Sequence, residues 1–341
     1  LAIAFRNVVL DWKTLLNNNI DEAFKDFSPD LFVKHYIPWD IDIEVVKKHY
    51  LDDYTVENFE QLAKQYTPNF YALFKQWVDE HWINLYEIIG YTLYPKYDLH
   101  KAIMLYGTGK NGKSTFLGLL KRLLGSENVV SKSLQELTDE RNRFAVSSLY
   151  GKLANIYADL PRQPVKYTGK FKILTGEDTI TADRKFRDPI TFTNYCKLIF
   201  SCNELPEVGD MTIAFWRRWI VIEFPHEFKP IQNFLTRLIN SFKHEIPKLL
   251  ALSVLAIKGV LTRGSFTYEG EEADYKEKWL RQSDPVYAFL KDMIDSNKYV
   301  FDKNGYVGKD EFYQEFVEWF HEHEDEYSKM PDKRGFTTAL E

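Results

Sequence analysis

Ala102-Ile103-Met104-Leu105-Tyr106-Gly107-Thr108-Gly109-Lys110-Asn111-Gly112-Lys113-Ser114-Thr115 decides how the rest of the chain is read. The first five residues are a short apolar run, as in a buried strand. Gly107 to Thr115 then follow the spacing G-x-x-x-x-G-K-[ST] of a phosphate-binding loop. Phe116 to Leu124 is apolar at helical spacing, and Gly125 stands where a helix cap belongs. Strand, glycine loop and helix form one phosphate cradle. Glycines let backbone N–H groups turn inward at the positive end of a helix dipole. Lys113 is expected to reach the β- and γ-phosphates of a nucleoside triphosphate, and Ser114 to hold Mg²⁺.

Working outward, the 341 residues suffice for two or three domains, and a 45% hydrophobic, 16% aromatic composition can bury a sizeable core. No apolar run approaches 18 residues, so no membrane span is expected. The chain opens at Leu1 without an initiator Met, as expected of a piece of a longer protein. Cys196 and Cys202 lack metal-ligand spacing and suit a reducing compartment. Net charge is −6, but residues 269–341 carry 19 acids against 10 bases, which leaves residues 1–268 net positive. The acid lies away from the nucleotide-binding part.

Downstream of the loop, Leu153 to Asp159 is an apolar strand ending in an acid. Such an Asp can hold a Mg²⁺ shell beside a phosphate loop, or simply end a strand. Segments 179–182 and 188–192 alternate as a hairpin around Asp183-Arg184-Lys185-Phe186-Arg187. That tip suits phosphate contact, or is a solvated turn. Lys197 to Asn203 is another buried strand, and Asn203 either orients an attacking water or opens the turn at Glu204-Leu205-Pro206. Arg217 and Arg218 precede a strand at 219–222. They can stabilise charge on a γ-phosphate, or form a surface pair between buried tryptophans. Helices are expected near 139–148 and at 170–175.

Upstream, Phe5 to Trp12 reads as a strand entering a turn, and Pro38 makes 32–39 an edge or loop. Segment 41–94 repeats apolar residues three or four apart, and its aromatics read as helix-bundle core rather than a base-stacking surface. Residues 229–268 read as helices. Residues 284–341 read as helix, turn, helix and a further start near Thr337. His321 and His323, set among acids, are expected to be solvated.

The order of these motifs, with Lys172-Ile173-Leu174-Thr175-Gly176-Glu177-Asp178 between Asp159 and the hairpin, closely resembles the superfamily 3 helicases. The branch of poxvirus, satellite-phage and plasmid primase-helicases is most similar, and archaeal plasmid primase-polymerases carry similar motors. The resemblance implies an α/β fold: an AAA+-type core (99–228) with a parallel-rich sheet flanked by helices. A mostly helical domain (1–98) would precede it. A helical extension (229–268) and a truncated winged-helix-like segment (269–341) would follow. It implies ATP and Mg²⁺ as cofactors and a ring, usually a hexamer, moving along single-stranded DNA. A primase or polymerase domain on the full-length chain, and a plasmid- or virus-encoded protein in the host cytoplasm, complete the expectation. Under it, Lys113 and Ser114 are the Walker A pair, Asp159 the Walker B acid, Asn203 the sensor, and Arg217 or Arg218 the finger entering a neighbour's site. Lys172, Arg184, Lys185 and Arg187 fall in the DNA-contacting hairpin segment. In the family a second acid often follows the Walker B acid, but here Leu160-Pro161 follows, so the water-polarising role is unassigned and Glu177, Asp178 or Glu204 could supply it. The alternative is a P-loop ATPase acting as an origin-binding or packaging factor.

Overall fold

The structure is a computed structural model. It describes residues 1–340 except 211, 301, 303–304 and 324–329. The chain opens with a small sheet of β1 (Ala2–Phe5), β2 (Val9–Asp11), β3 (Phe24–Lys25) and β4 (Tyr36–Ile37), in the order β3-β2-β1-β4. The single strand expected over 5–12 is thus a tight hairpin. Phe5 N–H donates to Val8 O at 2.8 Å, closing the turn, and Asn7 exchanges two hydrogen bonds with the Ile41 backbone. That side-chain pairing outcompetes strand continuation. Pro38 follows β4 at the sheet edge, as expected.

Four helices follow, Ile43–His49, Val56–Tyr66, Pro68–Val78 and Trp82–Leu93. Asp42 and Thr55 cap the first two by accepting from Val45 N–H and Asn58 N–H, and Pro68 opens the third. Their aromatics, Phe59, Phe70, Phe74, Trp77 and Trp82 among them, are buried. Helix Trp82–Leu93 is buried on every side and packs on Ile246–Arg263. Gly90 permits this: a Cβ there would lie 2.0 Å from Ser253 O.

The site rests on a second sheet. Its strands are β5 (Ala102–Tyr106), β6 (Val129–Val130), β7 (Ala154–Tyr157), β10 (Lys197–Cys202) and β11 (Trp219–Glu223), while β8 (Thr179–Arg184) and β9 (Arg187–Thr193) form a separate hairpin. The order is β11-β5-β10-β7-β6 and every pairing is parallel. Helices cover both faces, which is why these strands read as continuous apolar runs rather than alternating ones. The last strand pair is level: Cys202 of β10 sits beside Tyr106 of β5. The helix expected near 139–148 does not form. Helix Leu134–Thr138 carries a Ser133/Glu136 capping box and stops at Asp139, whose carboxylate accepts from Arg141 N–H. Only a 3₁₀ turn, Val146–Leu149, follows.

Helices Phe234–Phe242 and Ile246–Arg263 return the chain to the N-terminal helices, and Gly264 caps the second at φ +80°. Helix Glu272–Ser283 docks on the parallel sheet. Trp279 is buried among Phe215, Trp216 and Trp219 and donates from Nε1 to Pro206 O at 2.7 Å. Helices Pro285–Asp295, Lys309–His323 and Lys333–Leu340 share a core of Val286, Phe289, Phe312, Phe316, Trp319 and Phe336. The last begins at Lys333, ahead of the start expected near Thr337. The described residues from 269 onward contain no strand. His321 and His323 are exposed. Cys196 and Cys202 are free and buried, and burial pushes the Cys202 thiol up to about 12. Among the described residues, no helix is long and apolar enough to cross a membrane.

Candidate functional site

The glycine loop leaves the C-terminal end of β5 and runs into helix Lys113–Leu124. Gly107 has φ +145°, and a Cβ on it would lie 2.5 Å from both Asn111 Nδ2 and Phe224 O. Gly112 has φ +99°, with the Trp77 indole 2.7 Å from its virtual Cβ. Both positions therefore require glycine. Lys110 also sits at positive φ. Asn111 is buried and donates to Phe224 O at 3.0 Å, so the loop is fastened to the residue after β11. Gly109 meets nothing, and Thr108, Lys110, Ser114 and Thr115 line the accessible surface of the loop and first helical turn.

Lys113 points back under this loop. Its Nζ donates to Gly107 O at 2.5 Å, Thr108 O at 2.9 Å and Asn111 Oδ1 at 3.0 Å. A longer contact, 3.3 Å, reaches Asn203 Oδ1. Burial lowers the pKa of this ammonium, with Cys202 and Asp159 acting in the opposite direction. A buried cation satisfied by neutral backbone and amide oxygens is poised to exchange them for anionic oxygens, which bind it more strongly.

Strand order explains how the other residues arrive. β10 lies between β5 and β7, so Asn203 follows the strand beside the loop and Asp159 follows the next one out. Asp159 has φ +62°, and its N–H donates to Ser201 Oγ at 3.3 Å. Lys113, Ser114, Asp159 and Asn203 thus converge on one cleft of about 690 Å³. It is large enough for a nucleotide. Of the three acids that sequence leaves as water activators, only Glu204 lies at this edge, paired with Arg162 at 2.9 Å. Glu177 faces His100, ahead of β5, and Asp178 faces Gly176 near Arg218, at the other end of the sheet.

The arginine pair divides. Arg218 is buried, its Nε donates to Thr175 Oγ1 at 3.0 Å, and it also bonds Ala214 O. Burial, then the neighbouring Arg217 charge, lowers its pKa. Arg217 is exposed, and its side chain has no partner among the described residues. It precedes β11, so it lies one strand length, about 16 Å, from its own chain's glycine loop.

Hairpin β8–β9 springs from that same far end, since β9 leads directly into β10. The tip is tighter than expected: only Lys185 and Phe186 lie outside the strands, with a register shift between Ala182 and Arg184. Phe186 sits at φ +58° and is 94% exposed, so it does not pack beneath the hairpin. Lys185 Nζ lies 5.3 Å from its ring centroid. Arg184 donates from Nε to Asp188 O, and Asp183 is paired with Arg143 at 2.6 Å. Lys185 and Arg187 remain the exposed cations of the tip. Lys172 lies instead on helix Gly169–Leu174, 2.6 Å from Asp210. Burial alone would raise that carboxyl, but hydrogen bonds from Lys172, Thr168 and Thr212 outweigh it and hold it well below the usual range.

Sequence reading missed one wall of the cleft. Leu73, Gln76 and Trp77, from helix Pro68–Val78, line it together with Phe228, Ile231 and Phe234. Segment 224–231 straps the glycine loop: Phe228 N–H donates to Lys110 O at 2.8 Å and Thr108 Oγ1 donates to Glu227 Oε1 at 3.2 Å. His226 bonds Asp79 at 2.8 Å, tying the strap to the helix that carries Trp77. The signal was a helix-core pattern, which conceals that its last turn meets the loop.

Residues 105–218, from the loop strand to the arginine pair, match a family model described as "Family of unknown function (DUF5906)". Two viral proteins, each bearing the name putative helicase, are similar over the same order of length. The one from Acanthamoeba polyphaga mimivirus is 38% identical over 132 residues, 37% of this chain and 13% of that protein. The one from Invertebrate iridescent virus 3 is 28% identical over 135 residues, 37% of this chain and 14% of that protein. Among solved structures, the NrS-1 C-terminal region is 17% identical, covering 87% of this chain and 66% of its own, with a TM-score of 0.44. JCV helicase is 15% identical, covering 74% and 70%, with a TM-score of 0.31.

Proposed function

We propose that this chain is the ATP-hydrolysing motor of a superfamily 3 type DNA helicase, with an AAA+-type core, from a virus- or plasmid-encoded replication primase-helicase. It would assemble as a ring, usually a hexamer, and move along single-stranded DNA. One observation carries the reading: Lys113, Ser114, Asp159 and Asn203 meet in one cleft, because the Asn203 strand is inserted between the strands of the glycine loop and Asp159. The names of the two viral relatives support it.

In this reading the loop N–H groups and Lys113 hold the triphosphate, and Lys113 leaves its carbonyl partners for phosphate oxygens. Ser114 and Asp159, both exposed at the cleft, supply the oxygen ligands that Mg²⁺ prefers, and the ion would neutralise phosphate charge. Asn203 orients water through its amide, and Glu204 is the acid placed to polarise it. Arg217 is assigned as the finger and acts on a neighbouring copy, since its own loop is a strand length away. Arg218 positions that corner through Thr175 and Ala214. Lys185, Phe186 and Arg187 contact DNA at the ring interior, with Arg184 shaping the hairpin and Lys172 its base.

The test is ATP hydrolysis with and without single-stranded DNA, followed by strand displacement on a forked duplex. Stimulated hydrolysis with displacement is expected. Hydrolysis without displacement would favour an origin-binding or packaging ATPase. No hydrolysis, with the nucleotide bound, would overturn the motor reading.

A further inference from the structure

The nucleotide cleft has a second half that phosphate chemistry does not explain. Besides the glycine loop, Leu73 on helix Pro68–Val78 and Phe228, Ile231 and Phe234 line the cleft, four apolar side chains left part-exposed or exposed. Ile231 is 53% exposed. Trp77 is nearly buried, packed against Gly112 at the cleft. An apolar recess adjoining a phosphate cradle suits the flat, weakly hydrated part of a ligand whose other end is anionic.

A polar group stands at the rim. The Gln76 amide lines the cleft and has no hydrogen-bond partner among the described residues. It offers two donors and one acceptor, and can present either order by rotating. Adenine shows an amino donor beside a ring acceptor, and guanine a carbonyl acceptor beside a ring N–H. One amide can therefore pair with either edge.

We propose that this recess is the purine-base subsite of the nucleotide cleft, with Gln76 reading the base edge without discriminating ATP from GTP. It rests on the nucleotide reading above. Its walls come from segments some 150 residues apart, helix Pro68–Val78 and the strap 228–234. Base occupancy therefore draws the N-terminal helices onto the strap, fixing the loop between them. A pyrimidine, with one ring, engages less of the apolar wall.

Competition binding against a fluorescent ATP analogue tests this, with ATP, GTP, CTP and inorganic tripolyphosphate as competitors. ATP and GTP should compete alike, and CTP and tripolyphosphate more weakly. Ile231→Ser, a neutral change at an exposed position, should weaken ATP about tenfold while leaving tripolyphosphate unchanged. Gln76→Ala should weaken ATP and GTP together, about fivefold. Tripolyphosphate competing as well as ATP, with Ile231→Ser indifferent, would overturn the subsite and leave the phosphate site standing. CTP matching ATP would overturn the purine preference. Failure of every competitor and of the analogue to bind would overturn the nucleotide reading itself, and the subsite with it.

Discussion

The two ends of the parallel sheet use cations in opposite ways. At the C-terminal end, Lys113 is buried but held by neutral oxygens, chiefly those of a loop whose surface is open at Gly109. At the N-terminal end, Lys197 is buried for good. Its Nζ donates to Tyr94 O, Lys96 O and Tyr195 O at 2.6–2.9 Å, and the rings of Tyr91 and Tyr97 lie 4.5 and 5.2 Å away. Arg218 is likewise engaged, and Lys101 donates to Arg217 O at 2.6 Å. The lesson is that a buried cation marks a binding site only where its present partners can be exchanged. Lys113 meets that condition and Lys197 does not.

The largest expected effect falls on the open end. Lys113→Ala should reduce ATP turnover by about 10³-fold or more while circular dichroism and melting stay near wild type. Unchanged phosphate release from the folded variant would erase the distinction between the two ends. Arg217→Ala should come next, at roughly 10³-fold in hydrolysis, with turnover partly restored by mixing it with Lys113→Ala protein. Arg218→Ala should instead lower the melting temperature. Absence of rescue at every mixing ratio, together with an active monomer by light scattering, would rule out action between copies.

At the closed end, Lys197→Met leaves three carbonyls without a donor and should cost about 3 kcal/mol in urea unfolding. Burial pushes the Lys197 ammonium down to about 7 from an ordinary 10.5. Between those values the unfolded chain holds a proton that the folded chain has released. Wild-type stability should therefore rise with pH through that window, and Lys197→Met should flatten the rise. A slope identical in both proteins would mean that the three carbonyls keep the cation charged.

The smallest effect belongs to the hairpin. Lys185→Ala should leave basal ATPase intact and flatten the log–log salt dependence of single-strand binding by about 0.7, as for one lost phosphate contact. Phe186→Ala should weaken the same binding by about 1–3 kcal/mol if the exposed ring stacks on a base. An unchanged slope with intact unwinding would leave the tip a solvated turn.

Much of this was legible in the chain itself. The glycine loop, its strand and its helix are local patterns, set by backbone freedom at Gly107 and Gly112 and by apolar periodicity over 102–106 and 116–124. The strands ending near Asp159 and Asn203, and the helical aromatic core within 41–94, follow from the same short-range rules. Tertiary structure decided the rest, because those features depend on partners far away in sequence. Arg217 and Arg218 are identical in type and adjacent, yet only folding places one beside Thr175 and leaves the other in solvent. Glu177 and Glu204 are equally acidic, and only the fold puts Glu204 at the glycine-loop end of the sheet and Glu177 at the other. Leu73 and Trp77 read as helix core, and Gln76 drew no reading, until the fold brought residues 224–234 to the same cleft. The expected helix near 139–148 failed for a local reason, the Asp139 turn, which periodicity does not register. Periodicity reports which face of a segment is apolar; what that face meets is fixed only when distant segments close on it.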